Sequence, residues 1–109
     1  VEAARRLGML LKRLERYDEA AAVWRGEIPR GGLVAYVELA KHLEHRQRDY
    51  AGARDVVAQA IAWAGSEAAG LGRWEARRVV RDLEHRLGRL ERRLAGAPAD
   101  PSDGTAGKD

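Results

Sequence analysis

The chain has 109 residues, room for one small domain. Hydrophobic residues make up 45% and charged residues 34%, and alanine and leucine dominate the apolar set, a mixture that excludes a disordered chain and disfavours a sheet. The net charge is +3, and it rises to +5 over residues 1–95, which hold 19 basic against 14 acidic side chains.

Apolar spacing predicts an all-α chain of five helical segments. The first runs from about Ala3 to Leu14, with Leu7, Leu10, Leu11 and Leu14 on one face. The second runs from about Asp18 to Ile28 and carries Ala20, Ala21, Val23 and Trp24. Pro29 and Gly31-Gly32 then break the chain. The third runs from about Leu33 to His45, with Tyr36, Leu39, Ala40 and Leu43 facing inward. The fourth follows Asp49 to about Trp63 on Ala53, Val56, Val57, Ala60 and Ile61, with Gly65 placed to cap it. A small-residue connector fills 65–72.

The fifth segment, about Leu71 to Ala95, is the longest. Ala76, Val80, Leu83, Leu87, Leu90 and Leu94 recur at spacings of 4, 3, 4, 3 and 4, the stripe of a helix lying along a helical neighbour. Gly88 falls off that stripe and costs about 1 kcal/mol of helix propensity. The stretch 96–109, with two prolines, three glycines and no large apolar residue, reads as a disordered tail.

An internal repeat links the first two segments to the next two. Tyr17 and Tyr50, and Ala20 and Ala53, stand 33 residues apart, close to the tetratricopeptide period of 34. Gly8 and Ala40 are small where two helices cross, Ala20 and Ala53 where the second helix meets the first. Tyr17, Trp24 and Tyr50 fill the wedge between. On these residues, 1–64 resembles a pair of tetratricopeptide repeats, the first over 1–28 and the second over 33–64. Glu15 stands where the family prefers Gly at the turn, and Gly32 where it prefers Pro. The resemblance implies one domain over 1–95, with two antiparallel helix pairs in a right-handed superhelix and the segment 71–95 capping the last pair.

The run Ala35-Tyr36-Val37-Glu38-Leu39-Ala40-Lys41-His42-Leu43-Glu44-His45-Arg46, with Asp49-Tyr50 and Leu83-Glu84-His85-Arg86-Leu87, is similar to a bacterial family that joins a ribonuclease H-like exonuclease to a C-terminal tetratricopeptide-like region. That resemblance places a nuclease domain upstream of Val1, and the start of the chain inside a helical pattern fits a fragment of a longer protein. No ribonuclease H carboxylate can be assigned within the chain.

In the repeat family the first helix of each pair lines a concave groove. By position this gives Arg5, Met9, Lys12 and Arg13, then Val34, Val37, Lys41 and His45, a largely basic face suited to an acidic protein or peptide. The plain alternative is a solvated face. A second basic feature is a ridge on the fifth segment, Arg78, Arg81, His85, Arg89 and Arg92, long enough to meet several phosphates. Its plain alternative is a solubilising face paired through Arg81–Glu84 and Asp82–Arg86. No aromatic residue is read among these arginines.

Catalysis is not indicated. Ser66 and Ser102 are the only serines, and neither has a His nearby in sequence. Cysteine is absent, which removes disulfides, thiol catalysis and thiolate metal sites. Glu38, His42 and His45 share one helix face at i, i+4 and i+7, but no fourth ligand accompanies them, so no metal and no cofactor is assigned. Leu-Glu-His-Arg occurs at 43–46 and again at 83–86; coincidence in a Leu-, Glu- and Arg-rich chain is the first explanation, a shared docking contact the second. No apolar run approaches the ~20 residues of a membrane span, and no signal-peptide pattern opens the chain. The sequence thus predicts a non-catalytic, bacterial, cytoplasmic helical scaffold that binds protein, with nucleic-acid contact for a nuclease as the second reading and no membrane partner.

Overall fold

The computed structural model describes residues 2–96. They form five helices, α1 (Glu2–Arg13), α2 (Tyr17–Glu27), α3 (Gly32–His45), α4 (Tyr50–Ala64) and α5 (Arg73–Leu94), with a single 3-10 turn at Glu67–Ala69 inside the connector. The architecture is all-α. No helix among the described residues is long and apolar enough to cross a membrane. The tail expected over 96–109 lies outside the described residues from 97 onward.

Each helix packs on its neighbours in the chain: α1 on α2, α2 on α3, α3 on α4, and α4 on α5. The core is small-residue rich where helices approach. Ala20, Ala35, Ala40, Ala53 and Ala60 are buried, with Trp24, Tyr36, Leu39, Leu43, Val57, Leu83 and Leu90 filling the space between them. Gly8 marks the closest crossing: a Cβ placed there would lie 2.5 Å from Cζ2 of Trp24. The tryptophan ring therefore packs flat against the α1 backbone, and only glycine leaves room for it.

That crossing also sets which side of α1 turns inward. Gly8 and Leu11 are buried, while Leu7, Leu10 and Leu14 are each about half exposed, at 47%, 46% and 55%. The expected face of four leucines is thus corrected to one. One residue step turns a helix by about 100°, so a face centred on Gly8 swings the other three leucines to the flank.

The turns explain themselves in backbone terms. After α1 the N–H of Arg16 donates to the Leu11 carbonyl at 2.8 Å and that of Glu15 to Lys12 at 3.0 Å, a Schellman closure. Its left-handed residue is Glu15, at φ 62°, where glycine is the unstrained choice. The α3–α4 turn carries one more residue, and Arg48 is left-handed there at φ 54°. Asp49 then caps α4, its Oδ1 accepting from the Gly52 N–H at 2.9 Å. Gly65 occupies the C-cap of α4 but in a right-handed conformation; the left-handed glycine is Gly70, closing the 3-10 turn.

On α5, Leu83 and Leu90 are buried and Val79 and Leu87 pack against the core, whereas Leu94 is exposed. The heptad stripe therefore starts at Val79 rather than at Ala76 and Val80. Glu44, on α3 and only 6% exposed, is the polar anchor of this helix. Arg89 grips its carboxylate through Nη2 at 2.8 and 3.0 Å and Nε at 3.2 Å, and Arg86 adds a contact at 3.5 Å. Arg93 donates to the Tyr50 hydroxyl at 2.9 Å and lies over its ring. Glu44 and Arg86 belong to the two copies of Leu-Glu-His-Arg, and so do the buried Leu43 and Leu83. Between the two copies the contact is that of Glu44 with Arg86.

Candidate functional site

A pocket of about 170 Å³ opens between α1, α2 and α3. Ala20, Ala21 and Trp24 give it an apolar floor, and Tyr17 forms a wall with the Arg46 guanidinium stacked 3.8 Å from its ring centroid. Lys12, Glu38, Lys41, His42 and His45 complete the lining. The residues come together because α3 presents positions 38, 41, 42 and 45 on one side, and α1 delivers Lys12 from the turn after its buried Leu11 contact.

Three of the eight groove residues expected from sequence, Lys12, Lys41 and His45, line this pocket. Arg5, Met9 and Arg13 do not; they are exposed on α1 outside it. Val37 faces the other way, lining a cleft against α5 with Leu33, Val79, Asp82, Leu83 and Arg86, and Val34 packs on the core. The cause is again the rotation of α1 and α3 fixed by the helix crossings.

The charge in the pocket is partly spent internally. Glu38, with its side chain 10% exposed, accepts from Lys12 Nζ at 2.8 Å and faces Lys41 Nζ at 3.6 Å. Glu38 is thereby drawn to ammonium groups, and among the described residues no three His, Asp or Glu side chains converge to hold an ion. His42 is the outlier: it is 7% exposed, and both ring nitrogens are shielded from water with no hydrogen-bond partner. Asp18 Oδ1 stands 3.4 Å from His42 Nε2, within ion-pair range yet not placed as an acceptor.

The basic ridge on α5 keeps its length but not all its free cations. Arg78, Arg81, His85 and Arg92 are exposed along the helix. Arg89 is turned inward to Glu44, and Arg86 goes to Glu44 rather than to Asp82. An exposed aromatic residue stands on α5 just before the ridge, outside the span Arg78–Arg92 that the sequence reading covered. Trp74 is 76% exposed, with the Arg77 guanidinium 5.3 Å from its ring centroid. Arg73 and Arg77, either side of a tryptophan in the first turn of an otherwise charged helix, were the available signal. Ser66 is occupied structurally, its hydroxyl donating to the Trp63 carbonyl at 2.6 Å.

Comparison of the chain with protein-family models, with curated proteins and with solved structures finds no match in any of the three. The pocket and the ridge stand on their own chemistry.

Proposed function

We propose that this chain is a non-catalytic helical-repeat scaffold of a bacterial cytoplasmic protein, and that its α1–α2–α3 pocket docks an acidic segment of another protein or of another domain of its own chain. The observation that carries the reading is the pocket lining: Lys12, Lys41 and Arg46 around a floor of Ala20, Ala21 and Trp24. Cations at the rim and an apolar floor suit a side chain with a hydrocarbon stem and an anionic tip. Two degenerate tetratricopeptide units, stacked in a right-handed sense and capped by α5, are part of this proposal. The 33-residue offset and the small residues at Gly8, Ala20, Ala40 and Ala53 support it.

The test is fluorescence anisotropy of a labelled glutamate-rich helical peptide and its glutamine counterpart, against the wild type and the charge reversals Lys41→Glu and Arg46→Glu. The glutamate peptide binds the wild type, and each reversal weakens it about tenfold or more. Equal binding of both peptides, or indifference to the reversals, refutes the reading.

A second reading has its own observation in Trp74, which adds an exposed ring to Arg73, Arg77, Arg78 and Arg81. A base can stack on such a ring while the arginines meet phosphates, as an accessory region of a ribonuclease H-like nuclease would require. Titration with duplex and single-stranded DNA at low and near-physiological salt separates the two. Salt-sensitive binding lost on changing Trp74, Arg78, Arg81 and Arg92 to Ala would favour nucleic acid.

A further inference from the structure

We infer that the pocket is built around His42 to hold a single carboxylate, with the imidazole as its buried donor; this rests on the reading of the pocket as a site for an acidic segment. Every imidazole carries at least one N–H, and burying that donor unpaired costs free energy that an apolar residue of similar shape would not incur. His42 is over nine-tenths buried, both nitrogens lack a partner, and its ring lines a pocket walled by hydrocarbon, by Lys12, Lys41 and Arg46, and by a Glu38 already engaged by the two lysines. Such a group is explained by a ligand that supplies the missing acceptor.

The surrounding charge selects the class of acceptor. Facing His42 are Lys12 from α1, Tyr17 and Asp18 from α2, and Glu38, Lys41, His45 and Arg46 from α3 and its end. Glu38 offsets one lysine, and with Asp18 displaced the other lysine and Arg46 are left to meet an incoming anion. A carboxylate on a hydrocarbon stem uses the apolar floor of Ala20, Ala21 and Trp24 as well as these cations, which a bare phosphate does not. The volume of about 170 Å³ and the apolar floor fit a short hydrocarbon stem behind the carboxylate, which describes a glutamate side chain.

Asp18 marks the place. Its carboxylate lies 3.4 Å from His42 Nε2, and its side chain is 89% exposed, so it can swing into solvent and yield the position to an incoming acid. The bound carboxylate then accepts from the imidazole N–H in a water-poor setting, where a charge-assisted hydrogen bond is strong.

The direct probe is N-acetyl-glutamate amide, titrated while the 15N signals of the His42 ring are followed by NMR, with N-acetyl-glutamine amide as the neutral control. The expected result is a saturable shift of the His42 nitrogens with the glutamate compound alone. In parallel, the anisotropy assay is repeated on His42→Leu and His42→Gln. His42→Leu melts no lower than the wild type, because an unpaired buried polar group has been removed, yet binds the glutamate peptide about tenfold or more weakly. His42→Gln, which keeps an N–H donor, retains part of the affinity, and Asp18→Asn gains affinity. An unmoved His42 signal, a His42→Leu variant of undiminished affinity, or a lower melting temperature in that variant overturns the inference. The outcomes separate: peptide binding that survives His42→Leu sinks the role of His42 and leaves the acidic-segment reading standing. Peptide binding absent from the wild type sinks the reading, and the small-molecule titration still decides His42.

Discussion

Replacing Gly8 by Ala should destabilise the protein although alanine is the better helix former. In the middle of a helix the exchange gains about 1 kcal/mol of propensity. Against this, the new Cβ would sit 2.5–2.8 Å from three carbons of the Trp24 ring. That ring is 3% exposed, wedged among core residues, so it cannot retreat without disturbing them. Overpacking of this kind costs about 1–3 kcal/mol, and with this much overlap at a stiff ring the upper half of that range applies, leaving a net loss of about 1 kcal/mol or more. The control lies in the same molecule. Gly88, in the interior of α5, would place its Cβ 3.6 Å from the end of the Arg92 side chain, an ordinary contact. Gly88→Ala should therefore gain about 1 kcal/mol, so the two identical exchanges move stability in opposite directions. Urea unfolding followed by circular dichroism measures both, and at roughly 4–8 °C per kcal/mol the difference in melting temperature is easily resolved. In a Trp24→Leu background the penalty at Gly8 should vanish, because the atoms it meets are gone. A Gly8→Ala variant as stable as Gly88→Ala would show that α1 does not cross α2 at Gly8.

Glu15→Gly relieves a left-handed turn residue whose strain is about 1–2 kcal/mol; less the extra chain entropy of glycine, stability should rise by about 0.5–1 kcal/mol, and an unchanged urea midpoint would contradict the turn geometry. Glu44→Gln should cost about 2 kcal/mol, less than a wholly buried pair because the Arg89 side chain stays 47% exposed, with faster amide exchange in α5 as its signature. Burial pushes the Tyr36 hydroxyl above its ordinary value of 10.0. The unfolded chain therefore loses that proton first, and stability holds below about pH 10 and falls as pH rises toward the folded-state value. Unfolding curves across that range should show the decline, and Tyr36→Phe should flatten it.

Helix positions, turn locations and the small residues at the crossings were legible because each follows from spacing or from local backbone chemistry. Gly8, Ala20, Ala40 and Ala53 stand where close approach demands them, and Asp49 caps the helix it precedes. The rotation of each helix was less legible. In α1 every inward choice among Leu7, Leu10, Leu11 and Leu14 satisfies amphipathic spacing, and only the Trp24 ring against Gly8 decides between them. The same holds for the basic residues of α5. Arg89 sits on the charged side of the heptad by composition and stays half exposed, yet its guanidinium is committed to a buried carboxylate, Glu44, offered by α3. An acid inside an apolar helix face gives no periodic signal, so neither the clamp nor the unpaired His42 two residues earlier was readable as such.

The packing of each helix mainly on its chain neighbours has a consequence for how the molecule opens. A structure joined in series need not come apart all at once; it can loosen from the end with the weakest link. Two residues are buried on each terminal helix, Gly8 and Leu11 on α1 and Leu83 and Leu90 on α5, but α5 is also tied to α3 and α4 through Glu44 and Tyr50, so the weaker end is α1. The α1 amides should exchange with solvent well before those of α4. Because Lys12 rides on α1, the same local opening would dismantle one wall of the pocket while the rest of the chain stays folded, and a ligand gripping Lys12 and α3 together would hold the loose end shut.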